Sequence, residues 1–253
     1  MISKPQMQFI RSLAIKKYRT QAGVFVLEGA KAVAELIDTQ HQIQTIYALP
    51  TWINDHAAKL RKYNDIVVEI SHKELEMMSE LSTPNQVLAI VQMPKAHINP
   101  ILLTQKFVFA LDQIQDPGNL GTIIRTADWM GMPYVFCSPD CVDVFNPKTV
   151  QATMGSVLRV SVIYTPLNEL FIQHPQLPVY GALLNGKNLF ETDFTTPNGF
   201  LLIGNEAHGI SPSLHQHITQ AITIPKHGQA ESLNAALAAS IIAAVAVNFK
   251  TPQ

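Results

Sequence analysis

The sequence predicts an α/β protein made of two successive α/β modules. Apolar segments suited to strands alternate with helical segments along the 253 residues. This alternation is interrupted once, by the proline-containing stretch PKAHINPILLTQ. The strands of the second half are short, continuously apolar runs, which are typical of parallel strands covered on both faces. Hydrophobic residues make up 47% of the chain, enough for a substantial core.

The first module alternates from Phe25 onward. VFVLEG, IQTIYAL, IVVEIS and QVLAIVQM read as strands, and KAVAELIDTQ, WINDHAAKLRKYN and HKELEMMSEL read as helices. The sequence therefore predicts a domain over residues 1–95, a linker over 96–105 and a second domain over 106–253.

The second module begins with the strand KFVFALD, followed by a helix over LGTIIRTADWMG that Gly131 ends. YVFCS, VYGALL, GFLLIG and AITI read as further strands, and an alanine-rich helix closes the chain. This pattern predicts a doubly wound sheet, in which ligands bind outside the carboxyl ends of the strands. The loops after Asp112, Leu184, Gly204 and Ile224 are therefore the predicted site.

Composition narrows the functional classes. Met1–Tyr18 has no apolar core of a signal peptide, and the apolar run Ala235–Val247 is shorter than the ~20 residues of a membrane span. Cys137 and Cys141 lack the partners of a disulfide framework or zinc site, so no metal is expected. We expect a soluble, cytoplasmic protein.

Charge is distributed unevenly although the net charge is only −1. Residues 1–105 hold 11 Lys and Arg against 9 Asp and Glu, and the remainder holds 7 against 10. The first 20 residues carry five bases and no acid, namely Lys4, Arg11, Lys16, Lys17 and Arg19. Such an arm is either a phosphate-binding segment or the solvated face of an amphipathic helix.

Three strand-end loops mix glycine with polar side chains. In DQIQDPGNLGTIIRTADWMG, Pro117-Gly118 predicts a turn, Asn119 a helix N-cap, and Arg125 an exposed position one to two turns into the helix. In LLIGNEAHGIS, Asn205 and Glu206 follow the strand end at Gly204, and a charge there must be solvated or paired. In IPKHGQAESLN, Ser232 and Asn234 precede the last helix and suit either capping or ligand binding.

The three loops together closely resemble the motifs of the SpoU (TrmH-like) family of RNA ribose 2′-O-methyltransferases, within the SPOUT superfamily. The matching segments are DPGNLGTIIRTADWMG, IGNEAHGIS and IPKHGQAESLNAALAAS, and the likeness extends over Phe107–Phe249. FVLEGAKAVAEL is similar to the small L30e-like substrate-binding domain of many members. Ala230 and Ala235-Ala236 depart from the family pattern at packing positions, and VQATMGSVLRV matches loosely.

The resemblance implies a fold, a cofactor and a site. The fold is a SPOUT-type α/β domain with a C-terminal trefoil knot, acting as a homodimer beside an L30e-like RNA-binding domain. The methyl donor is S-adenosyl-L-methionine and the substrate is RNA, ribosomal RNA before transfer RNA. The implied catalytic set is Asn119, Arg125, Glu206, Ser232 and Asn234. The implied cofactor-binding set is Leu184, Gly204, Asn205, Ile224, Leu233 and Asn234.

Chemistry favours an orienting role for Arg125. A guanidinium has a pKa above ~12 and is a poor base, so we expect it to orient the ribose or its phosphate and to stabilise charge. The proton could pass to a phosphate oxygen, to water or to a perturbed arginine, and Glu206 suits an anchor for Arg125 or for the partner chain. The rival interpretations are a Rossmann-type dehydrogenase or small-molecule methyltransferase, which the missing GxGxxG disfavours, and a non-catalytic RNA-binding relic.

Overall fold

The computed structural model describes residues 2–81, 83–95, 97–194 and 196–248. The chain forms two compact units, and each contains one β-sheet. The first unit combines the chain up to Lys95 with Phe145–Leu158, and the second combines the rest. Residue 96 of the predicted linker and residues 249–253 of the predicted second domain lie outside the described residues.

The first unit contains a four-stranded mixed sheet with helices along it. Its strand order is β1-β4-β2-β3, in which β4 runs antiparallel to both neighbours and β2 and β3 are parallel. The elements are α1 (Lys4–Ser12), α2 (Lys16–Ala22), β1 (Val24–Glu28), α3 (Ala30–Leu36), β2 (Ile43–Ala48), α4 (Pro50–Asp55), α5 (Ala57–Leu60), a 3-10 helix (Arg61–Ile66), β3 (Val67–Glu69), α6 (His72–Met78) and β4 (Val87–Gln92). All seven strands and helices predicted from Phe25 onward are present, although the second predicted helix is broken into three short pieces.

The basic N-terminal segment is folded into α1 and α2. Ser3 and Gln6 form a reciprocal capping box at the start of α1, and Gly23 ends α2 in the left-handed conformation. Arg19 is 2% exposed and its Nη1 donates to the carbonyls of Leu13 and Ala14, at 2.7 and 2.8 Å. Neither alternative for the basic segment, phosphate binding or a solvated helix face, describes Arg19, because its charge is turned inward to hold the bend between the two helices.

The second unit contains a six-stranded parallel sheet of order β10-β8-β9-β5-β6-β7. The second half of the chain contributes α7 (Pro100–Gln105), β5 (Phe107–Leu111), α8 (Pro117–Trp129), β6 (Tyr134–Cys137), α9 (Pro147–Thr153), β7 (Ser161–Tyr164), α10 (Leu167–Gln173), β8 (Val179–Asn188), β9 (Gly199–Ile203), β10 (Gln220–Thr223) and α11 (Ala235–Asn248), with 3-10 helices at Ser156–Leu158, Leu189–Glu191 and Pro212–His217. Of these, α9 and the 3-10 helix after it belong to the first unit. The predicted parallel α/β fold is confirmed.

Two features of the second half differ from prediction. The predicted linker contains α7, because Asn99 caps it by accepting the Ile101 N–H at 3.0 Å and Pro100 occupies its first position. Phe145–Leu158 packs in the first unit, where the Phe145 ring stacks on Phe25 at 4.6 Å between centroids. Sequence alternation contains no signal for such an excursion from one unit into the other.

The central strands fix the carboxyl edge where the site lies. All residues of β5 and β9 are buried, and Phe200 of β9 packs edge-on against Phe136 and Phe171. α11 packs against α8 and β9, so the last helix returns from the edge strand β10 to the middle of the sheet. Within the described part of the chain, no helix combines the length and apolarity that crossing a bilayer requires.

Candidate functional site

The site lies where four neighbouring strands end. β10, β8, β9 and β5 are adjacent in the sheet and parallel, so the loops that follow them meet at one edge. Three of these loops are the ones that the sequence singled out, after Asp112, Gly204 and Ile224. The predicted strand end at Leu184 is wrong, because β8 continues past it to Asn188. The side chains of the three loops come from the start of α8, from a turn after β9 and from the start of α11.

The start of α8 is set by Asp116. Its carboxylate accepts the Asn119 N–H at 2.7 Å, and Pro117 occupies the first helical position. The prediction that Asn119 caps this helix is wrong: Asn119 lies inside the first turn, so its amide side chain is free for other partners. The signal was present in the sequence, because an aspartate followed by proline is a common helix start.

A tight turn after β9 presents Glu206. The backbone N–H and carbonyl of Asn205 pair with those of Gly209, at 3.0 and 2.9 Å. A Cβ added to Gly204 would lie 2.3 Å from the backbone carbon of Gly209, so the turn closes directly on the backbone of Gly204. Glycine is required at this position by close approach.

Asn205 holds this turn with its side chain as well. Its Oδ1 accepts the N–H groups of Ala207 and His208, at 2.8 and 3.2 Å, and its Nδ2 donates to the Gln113 carbonyl at 2.9 Å. Gln113 is in the left-handed region with φ of 56°, where non-glycine residues are uncommon. Asn205 was predicted to bind the cofactor, and in the structure it fastens the Glu206 turn to the loop after β5.

Buried side chains that follow β6 hold the loop after β5 by hydrogen bonds. Ser138 Oγ accepts the Gln113 N–H at 2.9 Å, and Cys141 Sγ accepts the Ile114 N–H at 3.3 Å. A hydrogen bond from Cys137 lowers the pKa of the Cys141 thiol to about 7, whereas burial raises the pKa of Cys137. Both thiols are free, and the described residues contain no cluster of His, Cys, Asp and Glu able to hold a metal ion.

Asn234, Asn119 and Glu206 form a chain of hydrogen bonds across the three loops. Asn234 Nδ2 donates to Asn119 Oδ1 at 2.9 Å, and Asn119 Nδ2 donates to Glu206 Oε1. Asn234 Oδ1 also accepts the N–H groups of Ala236 and Leu237 at the start of α11. These backbone donors fix the oxygen of the Asn234 amide, so its nitrogen must face Asn119. The Asn119 amide is oriented in the same way, and its nitrogen must find an acceptor, which the Glu206 carboxylate provides.

We expect Asn234→Asp to separate the two tasks of Asn234. Aspartate caps a helix as well as asparagine, so the melting temperature should stay close to wild type. It cannot donate to Asn119 Oδ1, so this hydrogen bond should be lost. Turnover should then fall about 100-fold, as for a slight misplacement of reacting groups. Asn234→Ala should lose both tasks, with an added cost of about 1 kcal/mol in unfolding free energy. Equal turnover of wild type and Asn234→Asp would contradict this assignment.

Arg125 and Ser232 do not take part in this chain of hydrogen bonds. Arg125 is exposed on α8, six residues after Asn119, which places it about 9 Å further along the helix and about 120° around it. Ser232 is exposed, and in the described structure its hydroxyl contacts none of Asn119, Glu206 or Asn234 by a hydrogen bond. The structure of one chain thus brings together three of the five predicted catalytic residues.

The segment between β10 and α11 leaves its backbone open. Throughout the described residues, we find no protein acceptor for the N–H groups from Lys226 to Leu233. Leu233 is 45% exposed, and Leu184, whose carbonyl accepts the Thr223 hydroxyl at 3.2 Å, is 77% exposed. Unpaired backbone donors beside exposed leucines at a strand edge suit a ligand with both polar and apolar parts.

This fold and site define a parallel α/β enzyme domain. Its hydrogen-bonded polar side chains and its open backbone segment lie at one edge of the sheet, where a ligand can bind. The sequence profile described as the SpoU rRNA Methylase family matches residues 106–244, more than half of the chain. The protein therefore belongs to the SpoU rRNA methylase family. A second profile, the MRM3-like substrate binding domain, matches residues 4–89.

Relatives and solved structures agree with this assignment. The chain is 30% identical over 239 residues to the 23S rRNA (guanosine(2553)-2′-O)-methyltransferase RlmP of Bacillus subtilis, covering 92% of each chain. It matches the AdoMet-bound rRNA methyltransferase of Sinorhizobium meliloti with a TM-score of 0.86 and 31% identity, over 97% and 95% of the two chains. It matches the SpoU methyltransferase AviRb of Streptomyces viridochromogenes, solved with AdoMet, with a TM-score of 0.84 and 26% identity, over 97% of each chain.

Proposed function

We propose that this protein transfers a methyl group from S-adenosyl-L-methionine to a ribose 2′-hydroxyl of ribosomal RNA. The chain Asn234–Asn119–Glu206 at the meeting point of the three motif loops carries the proposal. Two of its relatives are named as 23S rRNA 2′-O-methyltransferases, which favours ribosomal over transfer RNA. We include a cytoplasmic location in the proposal.

The residues at the strand ends fit the proposed cofactor. S-adenosyl-L-methionine supplies an electrophilic methyl group when it is bound. Backbone groups at Gly204, Ile224 and Leu233 would hold its polar parts, and the exposed side chains of Leu184 and Leu233 would cover its apolar parts. Asn205 and Asn234 contribute by fixing their loops, since their side chains are engaged in hydrogen bonds to protein.

Catalysis in this proposal depends on positioning and charge. Asn119 has one amide hydrogen left after its bond to Glu206, so it can orient a hydroxyl group placed beside the chain. Arg125 supplies a permanent charge with a planar set of donors, which suits a ribose or phosphate oxygen. Ser232 adds a hydroxyl from the open segment. Alignment of the reacting groups can contribute ~7–11 kcal/mol of barrier lowering in favourable cases.

A homodimer completes the proposal, because the last helix has more apolar surface than one chain covers. α11 is apolar on all sides, as expected only for a helix enclosed by protein. Leu237 on α11 and Trp129 on the adjacent α8 are nevertheless 57% and 86% exposed. A second copy packed against these two helices would cover both side chains.

Leu237→Glu is expected to yield monomers with intact fold. A charge buried at a dimer contact costs several kcal/mol, and light scattering after size exclusion would report the change in mass. Ile172→Glu is the matched control, since Ile172 is 65% exposed on α10 of the same unit and should leave the dimer intact. A dimeric Leu237→Glu protein would place the interface elsewhere.

The path of the C-terminal segment is consistent with a trefoil knot. The chain leaves β10 at the sheet edge and returns as α11, which packs against β9, α8 and the 3-10 helix that follows β8. We include the knot in the proposal, with the open segment 224–234 as its threaded part. In the same proposal, the domain over residues 1–95 binds the RNA substrate.

Two measurements test the proposed activity. Calorimetric titration with S-adenosyl-L-methionine should show one site per chain, and the absence of binding would favour the relic interpretation. Mapping of 2′-O-methyl groups in total RNA from a deletion strain should then reveal one lost ribosomal position. A loss confined to transfer RNA would correct the substrate, and an unchanged map would refute the activity.

A further inference from the structure

The bend between α1 and α2 carries an unusual surface. We define the corner surface as the exposed side chains of Phe9, Arg11, Ile15, Lys16, Lys17 and Tyr18. The three apolar members are 38%, 54% and 43% exposed. Single exposed apolar residues are ordinary, but here three of them alternate with three cations within ten positions, and no acidic residue occurs before Glu28.

Buried Arg19 makes this surface rigid. Its guanidinium donates to the carbonyls of Leu13 and Ala14, two of the three residues that form the bend. Leu13 and Ile10, on the inner sides, are buried in the core of the first unit. The backbone that carries the exposed side chains is therefore held in place, and Tyr18 and Lys17 immediately precede the arginine that holds the bend.

The composition of the corner surface specifies its partner. Cations recognise phosphates, and exposed aromatic rings offer stacking surface to unpaired bases, since every base has a π face. Paired RNA presents its phosphates but not its base faces, so it would use the cations and leave the rings in water. Resting on the proposed function, we propose that the corner surface binds unpaired nucleotides of the RNA substrate.

The test uses the full-length protein and two fluorescein-labelled probes, single-stranded oligo(A) of about 12 nucleotides and a duplex of equal length. Anisotropy should show that Phe9→Ser/Tyr18→Ser weakens single-strand binding roughly 5- to 100-fold and barely changes duplex binding. Lys16→Gln/Lys17→Gln should weaken both and flatten the salt dependence of single-strand binding by a slope of about 1.4. Thermal unfolding confirms that each variant is folded.

Matched controls come from the same unit. Met77→Ser removes an apolar side chain that is 48% exposed on α6, and Arg61→Gln/Lys62→Gln removes two exposed cations elsewhere. Both should bind the probes as wild type does. The inference would be overturned if the controls weakened probe binding as much as the corner variants do. Unchanged single-strand binding by the corner variants would also overturn it. So would a loss of duplex binding in Phe9→Ser/Tyr18→Ser equal to its loss of single-strand binding. Corner-dependent binding of anionic phospholipid vesicles without RNA binding would assign the surface to membranes instead.

An assay of methyl transfer to ribosomal RNA tests this inference separately from the proposed function. The corner variants should raise the KM for RNA and leave kcat and cofactor affinity near wild type. Transfer that persists with an unchanged KM would refute the corner surface and leave the activity standing. Corner-dependent probe binding in a wild-type protein that methylates no ribosomal RNA would refute the activity and leave the surface as a site for unpaired RNA.

Discussion

Gly204→Ala is expected to disrupt the site from the backbone outward. The added Cβ would lie 2.3 Å from the backbone carbon of Gly209 and 2.4 Å from its carbonyl oxygen. Backbone atoms cannot rotate away as a flexible side chain can, so the turn must open. We expect a loss of about 3 kcal/mol in unfolding free energy and a fall of roughly 6–12 °C in melting temperature.

Function should suffer more than stability in this variant. Glu206 lies in the turn that opens, and its bond to Asn119 ends the hydrogen-bond chain, so turnover should fall about 100-fold or more. Gly228→Ala is the control for stability, because the same methyl group there meets no atom within 4 Å and should change unfolding by less than about 0.5 kcal/mol. A Gly204→Ala protein as stable and active as wild type would mean that the turn has room that the structure does not show.

The sequence predicted what depends on periodicity and missed what depends on long-range packing. The buried strands β5 and β9 were found because continuous apolar runs bounded by turn residues have few alternative structures. β7 was missed because Ser161–Tyr164 is a short, half-exposed edge strand whose pattern resembles a loop. The place of Phe145–Leu158 in the first unit depends on contacts such as the stacking on Phe25, which sequence spacing does not encode.

The same distinction applies to the site. The motif loops supplied the identities of Asn119, Glu206 and Asn234, but their mutual bonds span 87 and 115 positions and only the fold brings them together. Charge alone left Arg19 either in a phosphate-binding segment or on a solvated helix face, whereas in the structure it is buried and donates to two carbonyl groups. Charge in a sequence indicates what a side chain can bind, whereas burial decides what it does bind.

Arg125→Ala should reduce methyl transfer to a trace while S-adenosyl-L-methionine still binds. Loss of one preorganised donor at a site of developing charge typically costs 10²–10³-fold, and we expect about 10³-fold here. Arg125→Lys should recover little, because an ammonium group lacks the planar fork of donors. Calorimetry with the cofactor and a tritium-transfer assay measure the two properties separately, and near-normal turnover of Arg125→Ala would remove Arg125 from the mechanism.

The geometry further indicates from which chain Arg125 acts. Since Arg125 lies about 9 Å along α8 from Asn119 and on another side of the helix, we expect each site of the proposed homodimer to use the Arg125 of the second copy. Coexpression of differently tagged Arg125→Ala and Glu206→Gln chains then becomes decisive. If the arginine acts across the dimer, each mixed dimer keeps one intact site, and random pairing should restore about a quarter of wild-type sites. If it acts within its own chain, every site in the mixture carries one lesion and activity stays at the level of the single variants, which would confine the site to one protomer.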